Sequence, residues 1–160
     1  MGALARSLLD AAPLCAIATV SGNQAHINTA YFAWGDGFGV VWLSEPGAKH
    51  SRNVRRTGSV AIAVCDSHQS WGKPDRGIQL FGSGRELSGK AAKEAERIYS
   101  NRFPDYRRED NSAYAFYGLR PRSLKLFDEP TLGRGVFVTA RIAAEGDLVW
   151  QRTEIYRATA

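Results

Sequence analysis

Near the amino terminus, three apolar runs follow one another with only a few turn residues between them, and this holds the chain to an antiparallel meander. Leu14–Val20 stops at Ser21-Gly22-Asn23, His26–Trp34 stops at Gly35-Asp36-Gly37, and Phe38–Leu43 completes the set. Glycine accepts the positive φ that such tight turns require. Strict alternation gives His26–Trp34 two faces, Ile27/Thr29/Tyr31/Ala33 and Asn28/Ala30/Phe32/Trp34. The rest of the chain continues in the same style. A helix over Leu4, Leu8 and Leu9 ends by Pro13, and a second short helix, Ser44–Val54, carries an early Pro46 and ends near Gly58. Ser59–Asp66 and Gly77–Leu87 read as strands, the latter with a bulge or bend at Gly82 and Gly84. Gly89–Phe103 is the clearest helix, closed by Pro104, and Tyr99, Phe103 and Tyr106 at its end read as core or as the wall of a substrate pocket, with core favoured. Tyr114–Leu119, Ser123–Phe127, Gly135–Ile142 and Leu148–Tyr156 are further short strands. About eight strands with two or three helices predict one mainly-β domain over residues 1–160, an antiparallel, Greek-key-like barrel. Trp34 and Trp150 read as packing residues.

Composition narrows the function. The 160 residues suit one core, and the net charge of +5 (pI near 9.5) raises the question of nucleic acid. The basic residues fall in three interrupted places, Lys49–Arg56, Arg102–Arg108 and Arg120–Lys125, and Arg107-Arg108 runs into Glu109-Asp110. That pattern fits a solvated surface or a small-anion site rather than a nucleic-acid track. No apolar run approaches the ~18 residues of a membrane span. Asp10 and Pro13 interrupt any signal core, and Arg6 stands where a myristoylation motif needs Ser or Thr. Cys15 and Cys65 lie in apolar stretches, where buried reduced thiols are expected. A cytoplasmic protein without a membrane or nucleic-acid partner is the expectation.

Familiar catalytic constellations are missing. His26, His50 and His68 lack the close pairing of a metal site, so no metal is assigned. No G-x-S-x-G elbow exists, and Gly35, Gly37 and Gly39 do not fit G-x-G-x-x-G. Neither cysteine has the electropositive setting of a nucleophile. The informative stretch is Trp42–Arg56, where a strand ends at Ser44 and a helix soon begins with Lys49, His50 and Arg52 in its opening turns. Free N–H groups at a helix start, beside cationic side chains, suit a phosphate.

Read together, Ala25-His26-Ile27-Asn28-Thr29-Ala30-Tyr31-Phe32-Ala33-Trp34, the Gly-Asp-Gly hairpin, Gly39–Ser44, Lys49–Val54, SVAIAVCD and IQLFGSGREL resemble the pyridoxamine 5′-phosphate oxidase-like family. Phe116–Asp128 resembles that family's penultimate strand pair, and the likeness runs over roughly residues 10–130. The resemblance implies a split β-barrel homodimer with FMN between protomers. By position, Asn28, Thr29, Ala30 and Tyr31 would line the isoalloxazine edge, largely through backbone. Trp42, Leu43 and Ser44 would lie along the ribityl chain or ring, and Gln79 would reach the cofactor. Lys49 and His50 would hold the 5′-phosphate, with Ser51 and Arg52 nearby, and Trp71 would cap the partner's flavin or staple the dimer. The implied activity is oxidoreduction of a small organic substrate, with NAD(P)H or another small electron donor. The Arg-x-His-type motif of the oxidase proper is absent, since Glu129–Phe137 contains Arg134 but no His, which argues against vitamin B6 oxidation. Relatives supply the alternatives: a deazaflavin-dependent reductase, or a flavin- or heme-binding protein without turnover, the heme held by a ligand such as His50 or His68.

Overall fold

The structure, a computed structural model, describes residues 1–66 and 68–156. Helix α1 (Gly2–Asp10) precedes the predicted meander of β1 (Leu14–Ser21), β2 (Gln24–Trp34) and β3 (Val40–Ser44). A 3-10 turn at Asp36–Phe38, with Gly37 at φ 61°, links β2 to β3 and starts β3 later than the sequence suggests. Then follow α2 (Lys49–Thr57), β4 (Ser59–Cys65), β5 (Arg76–Glu86), α3 (Gly89–Arg102), β6 (Ala115–Asp128), α4 (Glu129–Leu132), β7 (Val136–Ile142) and β8 (Leu148–Ile155).

The strand order is β3-β2-β1-β4-β5-β6-β7-β8, every pair antiparallel, and β3 also pairs with β6. That extra pairing closes the first six strands into a barrel and leaves β7 and β8 as an extension beyond it. This is a mainly-β split barrel with a few short helices, as expected.

One corrected expectation explains the closure. Tyr114–Leu119 and Ser123–Phe127 are not two strands but parts of one, β6, whose 14 residues run through Arg120-Pro121-Arg122. Its first part pairs with β3 up to Leu119, and its second part pairs with β7 from Ser123. Along its other edge β5 pairs throughout, with a register shift at Phe81/Gly82 that leaves Arg122 as the extra residue. Pro121 lacks an N–H donor and sits at this bulge, where a strand tolerates it. Gly82 is required here: a Cβ would stand 2.1 Å from the Arg120 carbonyl oxygen and 2.7 Å from Pro121 Cα.

The barrel interior is filled by Ile17, Phe32, Trp42, Ile62, Ile78 and Tyr117, all essentially inaccessible, together with Leu8 and Leu9 from α1. Trp42 stacks on Tyr117 with centroids 5.9 Å apart. Outside the barrel α3 covers β2, β3 and β6, and Tyr99 and Ala95 bury Ala33 and Phe116 beneath it. Tyr99 meets Phe103, Tyr106 and Phe116 as an aromatic cluster; Tyr99 is buried, and Phe103 and Tyr106 pack half-buried against it. Trp34 half-buries against the core and donates to Asp10 Oδ1 at 2.9 Å, whereas Trp150 on outer β8 is exposed rather than packed. Cys15 is buried as expected; Cys65 is exposed because it ends β4 on the outward side. Among the described residues no helix is long and apolar enough to cross a membrane.

Gly82→Ala is expected to destabilise the fold by about 1–3 kcal/mol through overpacking against backbone that has little room to yield. Gly2→Ala, where a Cβ meets nothing within 4 Å, should leave the urea midpoint unchanged or slightly raised. Equal midpoints for the two variants would contradict the role given to Gly82.

Candidate cofactor site

The loop from β3 into α2 builds a buried polar cluster at the end of the barrel where β1 finishes and β2 begins. Ser44, the last residue of β3, points inward, and its Oγ lies 2.6 Å from His50 Nε2. Ser51 donates to Ser44 Oγ at 3.1 Å, and Asn28 Nδ2 lies 3.4 Å from His50 Nε2. One turn on, Asn53 donates to Thr19 Oγ1 at 3.1 Å. Ser44, His50, Ser51 and Asn53 are all buried. Ser44 accepts from Ser51, which leaves its own hydroxyl hydrogen for His50, and Asn28 Nδ2 can only donate. His50 Nε2 is therefore an acceptor, and the ring is neutral with its proton on Nδ1. Burial first, and then the facing His26 ring, lower the His50 pKa from its ordinary value. The two imidazoles lie parallel, 7° apart, with centroids separated by 6.5 Å.

The helix itself starts later than the sequence suggested. Its N-cap is Ala48, not Ser44, and no side chain caps the first turn. Ser44 is instead committed to His50 and Ser51. The first N–H groups of α2 thus lack a side-chain acceptor, and Lys49 stands exposed at the first helical position. No carboxylate among the described residues pairs with Lys49. Arg52, also exposed, donates to the Gly47 carbonyl and braces the approach loop. Unfilled N–H groups, the positive end of a helix dipole and a free ammonium together fit a phosphate group. Lys49 and His50 do not act as a pair here, because Lys49 faces solvent and His50 turns into the cluster.

The remaining anticipated residues divide between two faces of the barrel wall. Asn28 and Ala30 point inward, whereas Thr29 and Tyr31 point outward beside Leu14 and Ala16 of β1. Gln79 also points outward, in register with Ala63, which is opposite Ala16, which is opposite Thr29. Ala18, Ala61, Ile27 and Phe81 form the next outward row, and the two rows enclose a shallow apolar cavity of about 220 Å³. Alternate alanines on β1 and β4 keep this floor flat. Trp42 is in the barrel core and Leu43 is under α3, so neither side chain reaches the cluster or the flat face. Trp71 is wholly exposed in the β4–β5 loop. His68, also exposed, has Nδ1 3.1 Å from Asp66 Oδ1.

Sequence reasoning missed the alanine platform and the part played by His26. The Ala-x-Ala pattern at residues 16–18 and 61–63 carried the first signal; nothing local carried the second, because His26 and His50 meet only through the β2–α2 packing.

The pyridoxamine 5'-phosphate oxidase family model matches residues 1–127, and the chain belongs to that family. Among curated proteins none matches the sequence. Among solved structures, the heme-binding protein from Mycobacterium smegmatis aligns with a TM-score of 0.67 at 17% identity, over 86% of this chain and 56% of that one. The chain thus spans little more than half the length of that neighbour. The FAD-binding protein from Mycobacterium smegmatis aligns with a TM-score of 0.65 at 18% identity, over 80% of this chain and 94% of that one. HutZ, the heme storage protein from Vibrio cholerae, aligns with a TM-score of 0.60 at 13% identity, over 72% and 86%. At these identities the likeness shows the fold.

The buried imidazole makes a pH prediction. Unfolded, His50 returns to its ordinary value near 6.5, so below that pH the unfolded chain binds more protons than the folded one. Its contribution is full above the unfolded value and is lost as pH falls through the lowered folded value. Between about pH 7 and pH 5, the wild-type urea midpoint should fall more steeply than that of His50→Gln. Parallel curves would contradict a neutral, buried His50.

Proposed function

We propose that the chain is an FMN-binding oxidoreductase, a homodimer acting on a small organic substrate with NAD(P)H or another small electron donor. The observation that carries this reading is the open start of α2, where uncapped N–H groups and Lys49 fit a phosphomonoester. Lys49 and Arg52 would hold the phosphate, while His50, tied to Ser44 and Asn28, positions the first turn of α2 from behind. The flat outward face supports the rest. Thr29, Tyr31 and Gln79 surround a floor of alanines on which a planar ring can lie, and Gln79 offers an amide able both to donate and to accept. Ile27 is 70% exposed, Tyr31 56% and Phe81 41%, with Tyr31 resting edge-on against Phe103 at the end of α3. A contiguous apolar face of this kind favours burial against a second copy about a two-fold axis.

Bound FMN carries the hydride and electron chemistry itself, so the protein supplies binding, orientation and exclusion of water. Arg134 stands without a following histidine, so vitamin B6 oxidation is not part of the reading. A cytoplasmic setting suits the free, exposed Cys65.

Reconstitution with FMN should give a yellow protein with flavin bands. Lys49→Ala should weaken FMN binding by about 1.5–3 kcal/mol, roughly 10- to 150-fold. Arg107→Ala, whose guanidinium is occupied by the Pro104 and Tyr106 carbonyls, should not. A protein that takes up no FMN, or equal losses in the two variants, would contradict the assignment. A deazaflavin spectrum or a strong Soret band would select one of the other cofactors instead.

A further inference from the structure

Three arginines lie along the stretch where β6 changes partner: Arg85 lines one cavity there, Arg122 the next, and Arg120 both. Arg120 and Arg122 flank Pro121, while on β5 Ser83 lies opposite Arg120 and Arg85 opposite Gly118. Along the other edge of β6, pairing with β3 ends at Leu119 and pairing with β7 begins at Ser123, so no strand occupies the gap between them. Two cavities of about 570 and 680 Å³ run along this gap and share Asp36, Gly39, Ser83, Leu119 and Arg120 in their walls. Gly39 and Gly118 keep the floor low; a Cβ on Gly118 would already press Leu87 at 3.1 Å.

The charges around the groove are unevenly matched. None of the three guanidinium groups has an ion-pair partner among the described residues. Of the acids on the walls, Glu94 is gripped by Arg97 through two hydrogen bonds of 2.6 and 2.9 Å, and Asp36 also lies in the field of Arg97. Glu145 completes the acidic lining of the second cavity. Unpaired guanidinium groups fit the oxygens of a phosphate bidentately. Beside them Val41, Leu87 and Ile98 form an apolar wall, and the volume is that of a small-molecule site.

We propose that this groove binds a nucleoside diphosphate, with Arg85, Arg120 and Arg122 on the phosphate oxygens, Ser83 donating to them, and the base against Val41, Leu87 and Ile98. The inference is independent of the flavin reading, because the groove lies on β5 and β6 and shares no residue with the start of α2.

The test is calorimetric titration of the whole 160-residue chain with ADP and, separately, with inorganic pyrophosphate at low ionic strength. ADP should bind with a Kd at or below about 1 mM and more tightly than pyrophosphate, which lacks the part that meets the apolar wall. Arg120→Gln and Arg122→Gln, at exposed positions, should each weaken ADP about tenfold. Lys49→Ala and Arg152→Gln should leave it unchanged. The proposal is overturned if ADP gives no binding, if both groove variants bind like the wild type, if only Lys49→Ala loses binding, or if pyrophosphate binds as tightly as ADP.

Discussion

The barrel closes because β6 pairs with β3 along its first part and with β7 along its second, while β5 holds its other edge from end to end. The change of partner is fixed at Arg120-Pro121-Arg122 by the bulge opposite Gly82, where the two backbones approach too closely for any side chain. Everything that could carry function is placed by this junction. It holds β3 so that Ser44 points inward at the barrel end, and it keeps β5 in register so that Gln79 and Phe81 face outward beside the alanines of β4. It also leaves the gap along which Arg85, Arg120 and Arg122 line two adjoining cavities.

Helix α2 links two surfaces with different chemistry. Its inner side is a buried polar cluster, with Ser44 between His50 and Ser51 and Asn53 on Thr19. Its outer start is unfilled, with no capping side chain and a free ammonium. On the proposed reading, the packed inner side holds the open start in place for a doubly charged phosphate. A neutral imidazole serves this better than a charged one, since a buried imidazolium beside His26 would carry both desolvation and repulsion.

Much of this was legible in the sequence, and the failures have physical causes. The meander, the glycine-marked bulge, α3 and the amphipathic faces of β2 all follow from periodicity and turn chemistry, which are local. The Arg-Pro-Arg gap read as a strand break because proline removes a ladder donor; only the bulge and the exchange of neighbours make one strand of it. Cys65 read as buried from its apolar neighbours, but alternation along β4 turns it outward. Adjacent Lys49 and His50 read as one phosphate grip, whereas neighbours on a helix are separated by about 100° and the cluster claims His50. Trp42 read as a cofactor neighbour, yet its position on β3 points it into the barrel. Tertiary pairing, absent from any local pattern, decides each of these.

On the proposed reading, the uncovered apolar face and the open start of α2 serve one flavin site completed by a second copy. Sedimentation velocity of the FMN-reconstituted protein, followed at the flavin absorbance band, measures this directly. The flavin signal should sediment with a dimer, and Phe81→Glu, on the exposed apolar face, should lose both the dimer and the bound flavin. Flavin sedimenting with a monomer, or a Phe81→Glu protein that keeps its flavin without dimerising, would contradict it.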